Sequence, residues 1–377
     1  MRGIGSAPRS PWPHITLRAI RPFDDFDEAR AVLPRGERPR ALRDAAEGFR
    51  ERFKAQGRIH AAKAVDLQLA GHLTRFALGG AARGVNPYVA VVRRMLIVQF
   101  DDFDGVRRTL LWKPTVPEGA EQAPFHRRLL ARHGERVVRT ALARELETID
   151  GGLARWGLRR EDVDYVAFDH LHGQDLRRLV GTTKPVFGEP EPRPPLFPNA
   201  RFLLRRREVL ALAALHPLQW AWYVPGAAED VDEERIELLD RDVELGPGVA
   251  LVATPGHTDG NQSLVLNTPD GIWVSSENGV CADNWHPHIS RIPGVKAFAE
   301  AFCCEVVPNA KTSSDALAQY DAMVLEKALA DSNRDDPRWL NILPSSELAS
   351  LRRQWPVVPT FRYGGIDYGI LEPPARR

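Results

Sequence analysis

Apolar and polar residues alternate with a period that changes several times along this chain, and each change marks an element. Residues 41–78, "ALRDAAEGFRERFKAQGRIHAAKAVDLQLAGHLTRFAL", carry apolar side chains at helical spacing with few breakers, which predicts one or two helices packed on the main body. The segments "NPYVAVVRRMLIVQFDD" and "RTLLWKPT" are rich in β-branched and aromatic residues and are separated by "DFDG", so they read as a hairpin or meander. "FHRRLLARHGERVVRTALARELETIDGGLARWG" returns to the helical period and stops at glycines. The short run "VDYVAFDH" then predicts a strand, and "ARFLLRRREVLALA" a strand running into a helix. The most strand-like stretch, "VELGPGVALVATPGHTDGNQSLVLNTPDGIWVSSENGV", is punctuated by turns at "GPG", "TPGHTDG" and "TPDG". Strand, helix and strand in succession predict an α/β fold.

The proline-rich segment 185–198, "PVFGEPEPRPPLFP", contains Phe187, Leu196 and Phe197 and reads as an ordered surface loop. No internal repeat or low-complexity tract is present. Towards the C-terminus "PGVKAFAEAF" and "DALAQYDAMVLEKALADS" are helical in pattern, and "RRQWPVVPTFRYGGIDYGILEPPARR" is an extended segment. Its Trp355, Phe361 and Tyr363 serve either core docking or a homodimer contact. The organisation expected is a largely helical extension over 1–85, a main domain over 86–350 and an extended tail over 351–377.

Length and charge narrow the class of function. A chain of 377 residues buries a large core. Lys plus Arg (51) nearly cancels Asp plus Glu (50), so no global field recruits nucleic acid or anionic lipid, and a small-molecule substrate is expected. Cys281, Cys303 and Cys304 cannot build a disulfide framework. The N-terminal "MRGIGSAPRSPWPHITLRAI" lacks an apolar stretch of signal-peptide or membrane length. The expectation is a cytoplasmic protein.

Candidate chemistry clusters in three stretches. At the end of "YVAFDHLHGQD", an extended backbone sends His170 and His172 to the same face. "ATPGHTDGNQS" presents His257 from a turn, and "IWVSSENGV" ends an apolar strand at Glu277. Three histidines and a carboxylate from different strand ends form a ligand set for zinc with an open position. Each has a plainer reading: a surface or core His-x-His pair, a capping histidine, an exposed glutamate. Their joint order favours the metal.

The phrases "REDVDYVAFDHLHGQD" and "TPGHTDGNQSL" resemble motifs of the metallo-β-lactamase-fold hydrolase superfamily, and "LFPNARFLLRRRE" resembles a segment of its lactonase-type members. The likeness runs from about residue 88 to about 350. It implies an αββα sandwich of two mixed sheets with flanking helices, and a first metal on His170, His172 and His257. Departures fall at the second metal site, where Gln174, Asp175, Glu277 and Ser346 replace the family's residues. The resemblance then implies that Asp175 serves as an oxygen ligand or as the base that orients water, beside Glu277. His286 or His288 of "CADNWHPH" would replace the missing imidazole, Gln174 would hydrogen-bond nearby, and Cys281 would be a buried thiol.

The implied reaction is cleavage of an ester, lactone, thioester or amide bond by hydroxide formed at one or two zinc ions, with Fe or Mn as alternative metals. Asp175 and Glu277 are its expected catalytic carboxylates. His216, Trp220, Trp222 and Tyr223 line an apolar substrate pocket or else belong to helix core. With no Lys/Arg cluster beside the motifs, a phosphodiester is disfavoured. Two other readings remain: iron-dependent oxidation on the same fold, and a non-catalytic binding protein with a decayed metal site.

Overall fold

Neighbouring residues of the central strands go to different layers, and that alternation builds the architecture. The computed structural model describes residues 20–138, 143–309 and 315–374. Its strands are β1 (Arg21–Phe23), β2 (Ala61–Leu73), β3 (Tyr88–Asp101), β4 (Arg107–Trp112), β5 (Ala143–Glu145), β6 (Tyr165–Ala167), β7 (Arg201–Arg205) and β8 (Ile236–Leu239). They continue with β9 (Asp242–Gly246), β10 (Val249–Ala253), β11 (Gln262–Thr268), β12 (Gly271–Ser276), β13 (Ile342–Pro344), β14 (Ser346–Leu348) and β15 (Asp367–Tyr368). One sheet runs β1-β9-β10-β11-β12-β13. The other runs β15-β2-β3-β4-β6-β7-β8, with β5 on β2 and β14 on β3. Both are mixed: β12–β13 is parallel in the first, and β4–β6–β7–β8 is parallel in the second.

In β3, Leu96, Val98 and Phe100 face the other sheet, where they meet Val249 and Leu251 of β10 and Leu264 and Leu266 of β11. Met95 and Ile97 face the opposite way, onto Leu153, Leu176 and Leu179 of the outer helices. Ala250 and Val252 of β10 turn outward in the same manner. They pack on Leu42, Phe49 and Phe53 of helix Arg38–Gln56 and on Met323 and Leu329 of helix Ala316–Leu329. Period-2 side chains buried on both faces of two stacked sheets give four layers, α, β, β, α. This is the α/β sandwich expected. The predicted hairpin is β3–β4, paired antiparallel from Leu96–Trp112 to Asp101–Arg107.

The expected helices over 41–78 need correction. Helix Arg38–Gln56 ends at Gly57, and Ala61–Leu73 is strand β2, paired along its length with β3. Ala61 packs on the outer helices and Ala62 between the sheets. With both faces buried, β2 shows no polar alternation, and its alanines read as helix. The N-terminal region therefore supplies strands to both sheets as well as a helix; the part of the expected extension at 1–19 lies outside the described residues. Ala143–Glu145, expected within a helical stretch, is strand β5 on the edge of β2.

After a short helical turn at Arg352–Gln354 the chain runs over the body with only the short strand β15. Phe361 stacks on Trp339 at 5.5 Å, Tyr363 meets Trp273 edge-on at 5.8 Å, and β15 joins β2, while Trp355 is exposed. Residues 375–377 lie outside the described residues. No helix among the described residues is long and apolar enough to cross a membrane.

Candidate metal centre

Strand β6 stops at Ala167, and the chain turns through Asp169, His170, Leu171 and His172 to Gly173, which takes φ +67°. Leu171 goes into the outer core, so the imidazoles either side of it turn to the cavity. His257 arrives from the loop after β10. Gly256 at φ +128° makes this possible: a Cβ there would lie 2.2 Å from the Gln319 backbone nitrogen, so only glycine lets the loop press against helix Ala316–Leu329. Nitrogens of His170, His172 and His257 lie within 4.8 Å of one another.

Each imidazole is oriented by an oxygen on its outer nitrogen. His170 Nδ1 lies 2.9 Å from Asp169 Oδ1, His172 Nε2 lies 2.8 Å from Gln219 Oε1, and His257 Nδ1 lies 3.0 Å from Asn309 Oδ1. Donation to those acceptors sets the tautomer and places a lone pair on Nε2 of His170, Nδ1 of His172 and Nε2 of His257. Buried Glu208 clamps the two histidine loops together: Oε1 accepts from the Leu171 amide (2.9 Å) and the Tyr223 hydroxyl (2.7 Å), and Oε2 from the Thr258 hydroxyl (2.6 Å). Burial and the neighbouring Glu208 push the Tyr223 phenol well above its usual pKa. Because Glu208 braces both loops without touching an imidazole, Glu208→Ala is expected to weaken binding of a divalent ion by about tenfold, the lower end of what groups supporting metal ligands contribute, in a chelator competition. Unchanged affinity would show that the loops hold themselves.

Glu277, at the tip of β12, lines the same cavity, but its carboxylate is taken by Lys113. The Lys113 ammonium also lies 2.9 Å from Asp169 Oδ2 and donates to Ser346 Oγ at 3.3 Å. Lys113 follows the last residue of β4 in the left-handed region at φ +56°, anchored by its amide on the Ala167 carbonyl at 2.7 Å. A non-glycine residue in that conformation is strained and persists where surrounding contacts demand it. Burial works against charge on Lys113, yet Asp169 and Glu277 raise its pKa above the usual lysine value. Burial alone would raise the Asp169 carboxyl, but Lys113 and His170 outweigh it and hold it well below the usual range. Arg93, the strand partner of Ser346, also lines the cavity, 3.0 Å from His126 Nε2. Gln174 donates to Thr115 Oγ1 at 2.9 Å, while its buried Oε1 has no hydrogen-bond partner among the described residues.

Two expected site residues stand elsewhere. Asp175 caps helix Leu176–Leu179, and its carboxylate is held by Arg177 at 2.8 and 3.0 Å with Arg178 at 3.6 Å, so it does not line the cavity. His286 packs edge-on against Trp339 at 5.5 Å, and its Nε2 accepts from the Leu340 amide at 3.3 Å. His288 lies two residues further in the short helix Pro287–Ile289. Neither histidine lines the cavity. Burial, helped by Lys327, pushes His286 down to about 4. Between pH ~6.5 and ~4 the unfolded chain takes up a proton that the folded chain refuses, so stability falls with pH through that window by up to about 3 kcal/mol. Denaturant unfolding of His286→Phe should show a flatter profile between those pH values than the wild type; equal slopes would remove His286 as the cause.

Of the expected aromatics, Trp222 lines the cavity, Tyr223 is buried on Glu208, and Trp220 is exposed. The expectation of an apolar pocket without basic residues is corrected, because Lys113 and Arg93 both face into it.

No protein-family model matches the sequence. Among solved structures, a "probable metal-dependent hydrolase" from Staphylococcus aureus is similar over 71% of this chain and 83% of its own, at 13% identity and a TM-score of 0.50. The chain has the metallo-β-lactamase fold. Two further structures are similar: AidC, a dizinc quorum-quenching lactonase (12% identity, 84% of this chain, 99% of that one, TM-score 0.48), and a quorum-quenching N-acyl homoserine lactone lactonase (16%, 66%, 90%, 0.42). Within the metallo-β-lactamase fold of this chain, sequence reasoning missed Lys113, Arg93, Asp169, Glu208, Gln219 and Asn309. Asp169 had a local signal, a carboxylate next to a candidate ligand histidine. Lys113 is the one basic residue closing the apolar run "LLWKP". The other four carry no signal, since their partners are distant in sequence.

Proposed function

We propose that this protein is a hydrolase that works with one divalent metal ion and cleaves an ester, lactone, thioester or amide bond of a small molecule. The observation that carries the reading is the convergence of His170, His172 and His257 with each outer nitrogen fixed by its own acceptor. A divalent ion on these nitrogens supplies Lewis acidity towards a carbonyl oxygen and lowers the pKa of water. A set of three imidazoles suits zinc. Iron-dependent oxidation would require a carboxylate beside the histidines, and Glu277 is engaged by Lys113 instead.

The chain's own groups divide the remaining work. Arg93 lines the cavity as a cation that stabilises negative charge developing on the substrate, whereas the Lys113 ammonium is committed to Asp169 and Glu277. Gln174 Oε1, buried without a partner, orients a donor on water or substrate. Glu277, held at the cavity wall by Lys113, receives a proton from the attacking water and returns it to the leaving atom. The three cysteines, all free, suit a reducing compartment such as the cytoplasm. The test is turnover of a panel of small esters, lactones, thioesters and amides by the protein as isolated, after chelation, and after zinc is restored. Activity lost with chelator and regained with zinc is expected; a panel without turnover in the zinc-loaded protein would defeat the reading.

A further inference from the structure

Beside the metal cavity lies a groove of about 690 Å³ whose charged lining residues are Arg75, Arg128 and Arg132, with no Asp or Glu among the lining. Arg75 lies over the Phe76 ring at 4.5 Å and Arg128 over Trp220 at 5.7 Å. Among the described residues, no carboxylate pairs with Arg75, Arg128 or Arg132, in a protein where most basic side chains are spoken for: Arg93 by His126, Arg94 by Glu347, Arg177 by Asp175. The floor is apolar, with Leu73 and Leu129.

Groove and cavity adjoin at one residue. Phe125 lines both, and its ring packs at 4.5 Å on Trp222, another cavity residue. Along β2 the cavity takes Gly71 and His72 and the groove takes Leu73 and then Thr74. A molecule with its scissile carbonyl beside the three histidines, and long enough to pass Phe125, reaches the arginines.

We infer that the groove binds the distal arm of the substrate, and that this arm ends in an anionic group, a carboxylate or a phosphate, joined to the scissile bond by an apolar spacer. This names the substrate class of the hydrolase proposed above and rests on that reading. Guanidinium groups without a carboxylate partner bind oxyanions through paired N–H donors, and the apolar floor suits methylene groups. A neutral substrate would leave three cations facing apolar surface, whereas an anion is complementary to all of them.

Two measurements on the full-length, zinc-loaded protein test this. In the first, binding of octanoate, octyl phosphate and octanol to the wild type and to an Arg128→Gln, Arg132→Gln double variant is followed by tryptophan fluorescence; either anion can also reach the zinc, so only a preference that the double variant loses belongs to the groove. Either anion is expected to bind at least about tenfold tighter than octanol, with the advantage shrinking as NaCl rises from about 0.15 to about 1 M. The tighter of the two anions identifies the group. In the second, kcat/KM is compared for a neutral ester and its ω-carboxylate and ω-phosphate analogues, in the wild type and in an Arg128→Gln, Arg132→Gln double variant. Both positions are exposed on helix Pro124–His133, where glutamine keeps the helix. The anionic-to-neutral ratio is expected to fall about tenfold. Equal binding of octanol and both anions, or a ratio that the double variant leaves unchanged, overturns the inference. Failure to turn over any ester would defeat the hydrolase reading alone, because the binding comparison decides the groove independently.

Discussion

Protein purified without added metal is expected to carry about one equivalent of divalent ion, and a His170→Ala, His257→Ala double variant to carry almost none. The expectation follows from the donor set. Three imidazoles meet within 4.8 Å, whereas the groups that would build a second site are engaged: Glu277 by Lys113, Asp175 by Arg177 and Arg178, and His286 by packing on Trp339. Turnover should fall by about a thousandfold in the double variant, as several kcal/mol of charge stabilisation supplied by the ion disappear. Elemental analysis beside kinetics checks both statements. Two equivalents in the wild type would mean that a metal displaces Lys113 from Glu277, and metal retained by the double variant would place the ion elsewhere.

The second large effect is expected at Lys113. Its ammonium is the cation shared by Asp169 and Glu277, two carboxylates whose side chains are almost entirely buried. Lys113→Met keeps much of the volume and removes the charge, leaving both acids uncompensated. Breaking a buried pair by deleting one partner costs about 3–5 kcal/mol, and denaturant unfolding with a chelator present should register a loss of that size. Lys113→Ala, which also opens space between the carboxylates, is expected to take up a second divalent ion when zinc is in excess. A Met variant as stable as the wild type would show that water or a rearrangement satisfies Asp169 and Glu277 without the ammonium.

Lys113 also marks how far reasoning from sequence reaches here. The three histidines that the structure brings together were legible as candidates because they stand in short local phrases, "DHLHG" and "TPGHT", in which residue type and backbone turn are written together. Strands β9 to β12 were legible for a similar reason, since apolar runs alternate with glycine-rich turns. Strand β2 was not. Both its faces are buried, so its alanine-rich sequence lacks the period that separates strand from helix.

Asp175 and His286 sit close in sequence to ligand phrases, yet each was claimed by a nearer partner that the sequence does not announce. Gln219, Asn309 and Glu208 reach the site only through chain reversals, 47, 52 and 37 residues from the groups they orient.

The sequence by itself determined the α/β class and put the three imidazoles forward as candidates, because hydrophobic periodicity and local motifs act over a few residues; the four-layer sandwich was only implied by the resemblance those motifs carry. Tertiary structure alone decided that the Lys113 ammonium pairs with Glu277, and that a groove lined by arginines without Asp or Glu adjoins the cavity at Phe125. Both depend on which distant side chains are buried against one another. Electrostatic partnership in a low-dielectric interior is set by that distance in space, and separation along the chain does not encode it.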